Sequence, residues 1–405
     1  MADVRPFAAL RPNAPLAPRI CAPPYDVMSE AEARTRAARD ELSFVHVSRP
    51  EVNFPAEAHP REDERHAAAR TALARLIREG ALRRDETPAF YCYRQEMAGH
   101  RQTGIVALAS CADYVNGVIL KHELTRVEKE TDRMRHIEAV NAQTGPVFLF
   151  HEGSAALAEI TRRVTGETPD LDFTAEDGVR HTTWRVGDAD LNRQIRAAFA
   201  ATPRLYVADG HHRSAAAVRV WEQRGRAPAA AGFLAVIFPA AELQILPYHR
   251  VLRDLNGHTP ETVIERLGKT CEALPAGGAA PERRGEFGFY LEGRWRRFRF
   301  RPDSAASAAP ADQLDVARLQ HCVLEPLFGI ENPRTSRRID FVGGIRGIPA
   351  LEAMVDSGAQ ACAFALHPTG IEELKEVADG GDIMPPKSTW FEPKLRDAVF
   401  CHLLE

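Results

Sequence analysis

Asp209, Gly210, His211, His212 and Arg213 stand between a short apolar run, residues 205–208, and an Ala-rich stretch that opens at Ser214. A helix that begins just after a strand exposes unpaired N–H groups and a partial positive charge at its first turn, and a phosphate fits there. Gly210 lets the backbone turn sharply and approach an anion, and Arg213 offers a bidentate fork to phosphate oxygens. Asp209 is then the awkward neighbour. A carboxylate beside an anion is costly unless it holds Mg²⁺ or exchanges a proton with a substrate hydroxyl, and both roles belong to phosphoryl transfer. The plainer alternative makes Asp209 a helix cap and the two histidines surface residues. His211 and His212 are adjacent, about 100° apart on a helix, which argues against a shared transition metal. His211 is better suited to donate to a phosphate oxygen and to shuttle a proton near neutral pH.

A second group runs from His122 to Arg133 and holds eight ionisable side chains in twelve positions. Helical spacing puts Lys129, Arg133 and His136 on one cationic stripe that could line a polyphosphate groove; a solvated face with i,i+4 pairs involving Glu128 and Asp132 is the competing reading. His122 and Glu123 precede the helix, where a loop can aim them, and Glu123 or Glu130 can serve as general base. Lys387, Ser388 and Thr389 form a third group on a proline-flanked turn and could meet an anion through charge and hydroxyls, although the glycine frame of a phosphate loop is absent. The glycine run 343–347 fails as a dinucleotide fingerprint on spacing and reads as a tight turn.

The elements that must position these groups alternate. A capping box opens a helix at Ser29, residues 42–47 read as a buried strand, and residues 63–79 read as a helix stopped by Gly80. Hairpins are expected about Ala98-Gly99 and about Glu292-Gly293. Between them, helix 127–143, strand 147–150, helix 153–164, strand 182–186, helix 188–200 and the 205–213 junction follow in turn. Strands at 233–238 and 243–246 come next, and residues 301–312 read as a linker. That pattern predicts an α/β fold with mixed sheets. The expected regions are 1–115, 116–260, carrying the phosphate site, and 261–405.

The 405 residues are 44% hydrophobic, and 52 basic against 56 acidic side chains leave a net charge of −4. No global basic field draws the chain to nucleic acid or to an anionic membrane. Seven scattered cysteines without a C-x-x-C pair point to reduced thiols, and no signal peptide or long apolar span is visible, so a cytoplasmic protein is expected. The oligomeric state is left open.

Taken together and in order, Ala22-Pro23-Pro24-Tyr25-Asp26-Val27, residues 44–47 with Arg49-Pro50-Glu51, the His122–Arg133 run, Gly145-Pro146, Asp209–Arg213 and Met384–Lys394 resemble a bacterial family catalogued as a domain of unknown function. Its Asp-Gly-His-His-Arg motif resembles that of the ParB and sulfiredoxin superfamily, which includes free-serine kinases, and its members look like pyrophosphate-dependent serine kinases. The resemblance implies a ParB/sulfiredoxin-like core, L-serine and pyrophosphate as substrates, O-phosphoserine and phosphate as products, and Mg²⁺. It implicates Asp209 to Arg213 in phosphate binding, and His122, Glu123, Thr125, Lys129, Asp132 and Arg133 as family-typical charged or polar positions. His249 departs from the family, where Asn is commoner. Asp209, Glu123 and Glu130, in that order, could take the serine proton. A phosphoserine phosphatase, an ATP- or ADP-dependent serine kinase and a ParB-like nucleotide-binding regulator are the alternatives.

Overall fold

The computed structural model describes residues 1–405 apart from 303 and 305, two positions of the expected linker that therefore lie outside the described residues. The chain separates into two compact units, Met1–Leu243 joined by Pro393–Glu405, and Gln244–Glu392. These divisions differ from the three expected regions. Strand His100–Ser110 pairs with Gly232–Pro239 in one sheet, so the chain does not divide at 115. Tyr248–Leu252 pairs with Ile339–Gly343 and Cys362–Leu366, so it does not divide at 260 either.

The first unit is built on a mixed sheet in the order Ile119–Leu120, Leu205–Asp209, Val147–His151, Gly232–Pro239, His100–Ser110, Phe90–Met97, Arg180–Val186, Leu171–Thr174, with Val4–Arg5 beside His100–Ser110. Two of its pairings are parallel, Leu205–Asp209 with Ile119–Leu120 and Gly232–Pro239 with Val147–His151. The central strands are apolar at nearly every position, as burial on both faces requires. Leu157 and Ile160, Leu191 and Phe199, and Ala217 and Val220, from three helices, complete a core with Leu149, Val207, Phe233 and Ile237.

A second core gathers Leu10, Ile20, Phe44, Val45, Val47, Leu73 and Leu76 with Ala398 and Cys401. Here the expected strand at 42–47 is corrected: Val45–Ser48 is a helical turn. A short apolar run does not distinguish a strand from a buried helical segment, and these side chains pack among helices. The expected hairpin about Ala98-Gly99 is present, with both residues at positive φ. Chain ends return to this unit as well, since His402–Leu403 pairs with Ala142–Gln143 and Asp397 bridges Ala22.

The second unit carries an antiparallel sheet in the order Glu272–Ala273, Arg294–Arg299, Glu286–Leu291, Cys362–Leu366, Tyr248–Leu252, Ile339–Gly343. The hairpin about Glu292-Gly293 lies within it. Among the described residues no helix is long and apolar enough to cross a membrane.

Candidate functional site

Strand Leu205–Asp209 ends in a register shift between Val207 and Asp209, a bulge that re-aims the chain just before the motif. Gly210 follows with φ +95° and caps helix His211–Gln223. A Cβ there would come within 3.1 Å of the Arg213 guanidinium, so glycine is required both by the backbone and by that side chain. Ala216 and Ala217 then bury against the sheet and fix the helix in place.

Asp209 holds two cations. One oxygen lies 3.2 Å from Lys394 Nζ and 3.6 Å from Arg213 Nη2, and the other accepts the Gly210 N–H at 2.9 Å. Burial raises the cost of its charge, but Lys394 and Arg213 outweigh that and hold the carboxyl below the usual range. Both oxygens are thus engaged, by Lys394 and Arg213 on one side and by the Gly210 N–H on the other.

Arg213 is 10% exposed, donates through Nη1 to the Pro146 carbonyl, and leaves Nε buried with no partner among the described residues. It points into the protein, beside a cavity of about 40 Å³ lined by Tyr25, Arg133, Thr144, Gly145 and Asp397, room for a few water molecules. His211 and His122 are 4% and 2% exposed, with ring centroids 4.5 Å apart, edge to face. Among the described residues His211 Nε2 and His122 Nδ1 are likewise buried without partners. Burial lowers both imidazoles to about 3. A ring held neutral at pH 7 has one N–H to donate and one nitrogen to accept. His212 is half-buried and accepts the Arg126 N–H on Nε2 at 3.1 Å.

The parallel pairing of Ile119–Leu120 with the motif strand brings the second group alongside. Glu123 lies 4.0 Å from His211 Nδ1 with its side chain 32% exposed. Glu130 instead accepts the Thr125 hydroxyl and lies 3.6 Å from Arg219, so its carboxylate is committed within the structure. The expected stripe divides. Arg133 is paired with Asp132 at 2.6 Å and lies over the Tyr25 ring at 4.1 Å, and Lys129 joins both in a cavity of about 300 Å³ with Tyr25, Asp26 and Arg49. His136 is no cation; its Nε2 meets the Val47 carbonyl and burial lowers the ring to about 3.

Lys387, Ser388 and Thr389 belong to the second unit. The Ser388 hydroxyl donates to the Pro385 carbonyl at 2.7 Å, the exposed Lys387 lies 5.6 Å from the Tyr248 ring centroid, and Thr389 is half-buried. Lys394, at the end of the same segment, belongs to the first unit and meets Asp209 there.

Sequence reasoning missed Asp397. This carboxyl is 3% exposed, and burial, against the pull of Arg213, pushes it up to about 7. Gly145 makes room for it, since a Cβ there would stand 2.6 Å from Asp397 Oδ1. Nothing near position 397 in the sequence signals this role. Lys394 was within a family-typical segment, and Tyr25 and Asp26 within another, but the segments alone did not single them out. A larger cavity, about 670 Å³, lies along helix Ala155–Val164 and holds none of the expected residues.

Residues 4–317 match a family described as a protein of unknown function, DUF1015. No curated protein matches the chain. Similar solved structures include a free serine kinase in complex with AMP (15% identity, 68% of this chain and 83% of that one, TM-score 0.34). A conserved hypothetical protein from Pyrococcus furiosus is another (16%, 69% and 90%, 0.36), as is SbnI with a C-terminal truncation from Staphylococcus aureus (12%, 72% and 85%, 0.39). Likenesses this distant carry no argument about what the chain does.

Proposed function

This chain belongs to the DUF1015 family of proteins of unknown function, and from that premise we propose that it moves a phosphoryl group between pyrophosphate and the hydroxyl of free L-serine. The observation that carries the reading is a pair of buried side-chain nitrogens with no partner among the described residues, Arg213 Nε and His211 Nε2, gathered at the first turn of the motif helix. Buried polar groups are normally satisfied, so such a cluster is suited to an anion. The ParB/sulfiredoxin-like core belongs to the same proposal.

In this mechanism the phosphoryl oxygens lie against the Arg213 guanidinium and the N–H groups that follow Gly210. Asp209 and Lys394 position Arg213. Glu123 takes the proton from the serine hydroxyl as the new O–P bond forms and the bridging P–O bond of pyrophosphate breaks, releasing phosphate. Glu123 is preferred over Asp209 and Glu130 because its carboxylate is at the rim and, among the described residues, pairs with no arginine or lysine. Pyrophosphate itself coordinates Mg²⁺ well, so the ion belongs in the assay, and no step here is assigned to it.

The test supplies the full chain with L-serine, Mg²⁺ and, in turn, pyrophosphate, ADP or ATP, and measures O-phosphoserine by mass. Product with pyrophosphate is expected. Product with a nucleotide alone replaces the donor, and no product with any of the three overturns the reading.

A further inference from the structure

Glu62 and His66 lie one turn apart on helix Glu62–Arg78, so both project from one face, and Asp132 faces them from helix Val127–Val140. One ligand atom from each of the three lies within 4.8 Å of the others. His66 is 6% exposed, and its Nε2 stands 3.6 Å from Asp132 Oδ1. That is longer than a good hydrogen bond and close to the ~3.4 Å edge of a tetrahedron with bonds of ~2.1 Å.

The remaining oxygens explain the geometry. Asp132 Oδ2 accepts from Arg133 Nε at 2.9 Å and Nη2 at 2.6 Å, which leaves Oδ1 turned to His66. Glu62 Oε2 accepts from Arg135, leaving its other oxygen. Each carboxylate is therefore held by a guanidinium, and Asp132 presents its second oxygen to His66, as outer groups commonly orient metal ligands. His66 and Asp132 also line the 300 Å³ cavity with Asp26 and Lys129, which gives an ion room for water or an anion at its open positions.

We propose that Glu62, His66 and Asp132 form a binding site for a divalent transition metal. One imidazole nitrogen and two carboxylate oxygens suit Mn²⁺, Fe²⁺ or Zn²⁺ better than Mg²⁺ or Ca²⁺, which favour all-oxygen sets. The site uses neither the Asp209 cluster nor the phosphotransfer reading, and stands or falls without them.

The test uses the full chain, stripped with chelator and titrated with Mn²⁺ by electron paramagnetic resonance. One equivalent should bind, and the pulsed echo should carry the nitrogen modulation of a coordinated imidazole. His66→Gln and Asp132→Asn should each weaken binding at least 10-fold, with circular dichroism confirming that they fold. Absence of bound Mn²⁺, binding without nitrogen modulation, or a folded His66→Gln variant of unchanged affinity overturns the proposal. Should the variants not fold, the nitrogen modulation of the unaltered chain decides alone.

Discussion

Glu286 in the second unit and Asp397 in the first are both 3% exposed and both lie among arginines, yet they are driven in opposite directions. Glu286 accepts from Arg283 and Arg299 at 2.9 Å and from Arg297 at 3.0 Å, so each of its oxygens is met by a guanidinium N–H. Burial alone would raise its pKa; the three hydrogen-bonded guanidiniums outweigh it and bring the carboxyl down to about 2. Asp397 has Arg213 and Arg133 as neighbours, but among the described residues neither donates to it. Burial, with Asp26 adding like charge, pushes it up to about 7. The lesson is that a nearby cation does not keep a buried carboxyl ionised unless its N–H groups actually reach the oxygens. One cluster is closed on itself and serves architecture. The other keeps unsatisfied donors and is where a ligand has something to bind.

The widest separation between the two clusters should appear in turnover. With the open cluster as the reaction site, Glu123→Gln is expected to lower phosphoserine formation by about 10²- to 10⁴-fold, the usual worth of a general base. Unchanged turnover would remove Glu123 from the mechanism. Glu286→Gln, in contrast, should leave pyrophosphate affinity as it was.

Stability against pH comes next, with opposite signs for the two carboxyls. Asp397 has a raised folded-state pKa, so its contribution is full below about pH 4 and is lost as pH rises towards 7, a swing of at most roughly 4 kcal/mol. Asp397→Asn should flatten the fall in Tm over that window. Glu286 has a lowered folded-state pKa, so its contribution is present above about pH 4.5 and is lost as pH falls towards 2. Glu286→Gln should lower Tm at pH 7 and blunt the acid loss. Parallel Tm profiles for the two variants would break the comparison.

Smaller effects sharpen it. Gly145→Ala pushes a methyl against Asp397 Oδ1 and should cost about 1–3 kcal/mol in urea unfolding, whereas an ordinary surface Gly→Ala change would not. Arg213→Lys keeps the charge but loses the planar fork, and calorimetry should show pyrophosphate binding weakened by about 10-fold. Unchanged affinity would show that the guanidinium faces another group.

Local features were legible in the sequence for local reasons. The two hairpins follow from residues that tolerate positive φ between alternating runs, and the strand-to-helix junction follows from Gly210 and the alanines behind it. The charged run 122–133 was legible as a helix with His122 and Glu123 ahead of it. Its internal division was not, because only tertiary packing decides that Arg133 meets Asp132 and Tyr25 while Glu130 meets Thr125. The histidines looked titratable until burial was known. Asp397 could not be seen at all and Lys394 only as the end of a family-typical segment, since their partners lie far away along the chain. The run at 42–47 failed for lack of length, being apolar enough for either strand or helix.

The pairing of Asp209 with Lys394 spans 185 residues, all of the second unit among them. On a ribosome adding about 5–20 residues per second, the aspartate emerges roughly 10 to 40 s before its lysine exists. Through that interval the nascent first unit holds an anion that nothing yet neutralises from that side, and any phosphate-gripping competence must wait for the segment beyond Glu392 to be translated and docked.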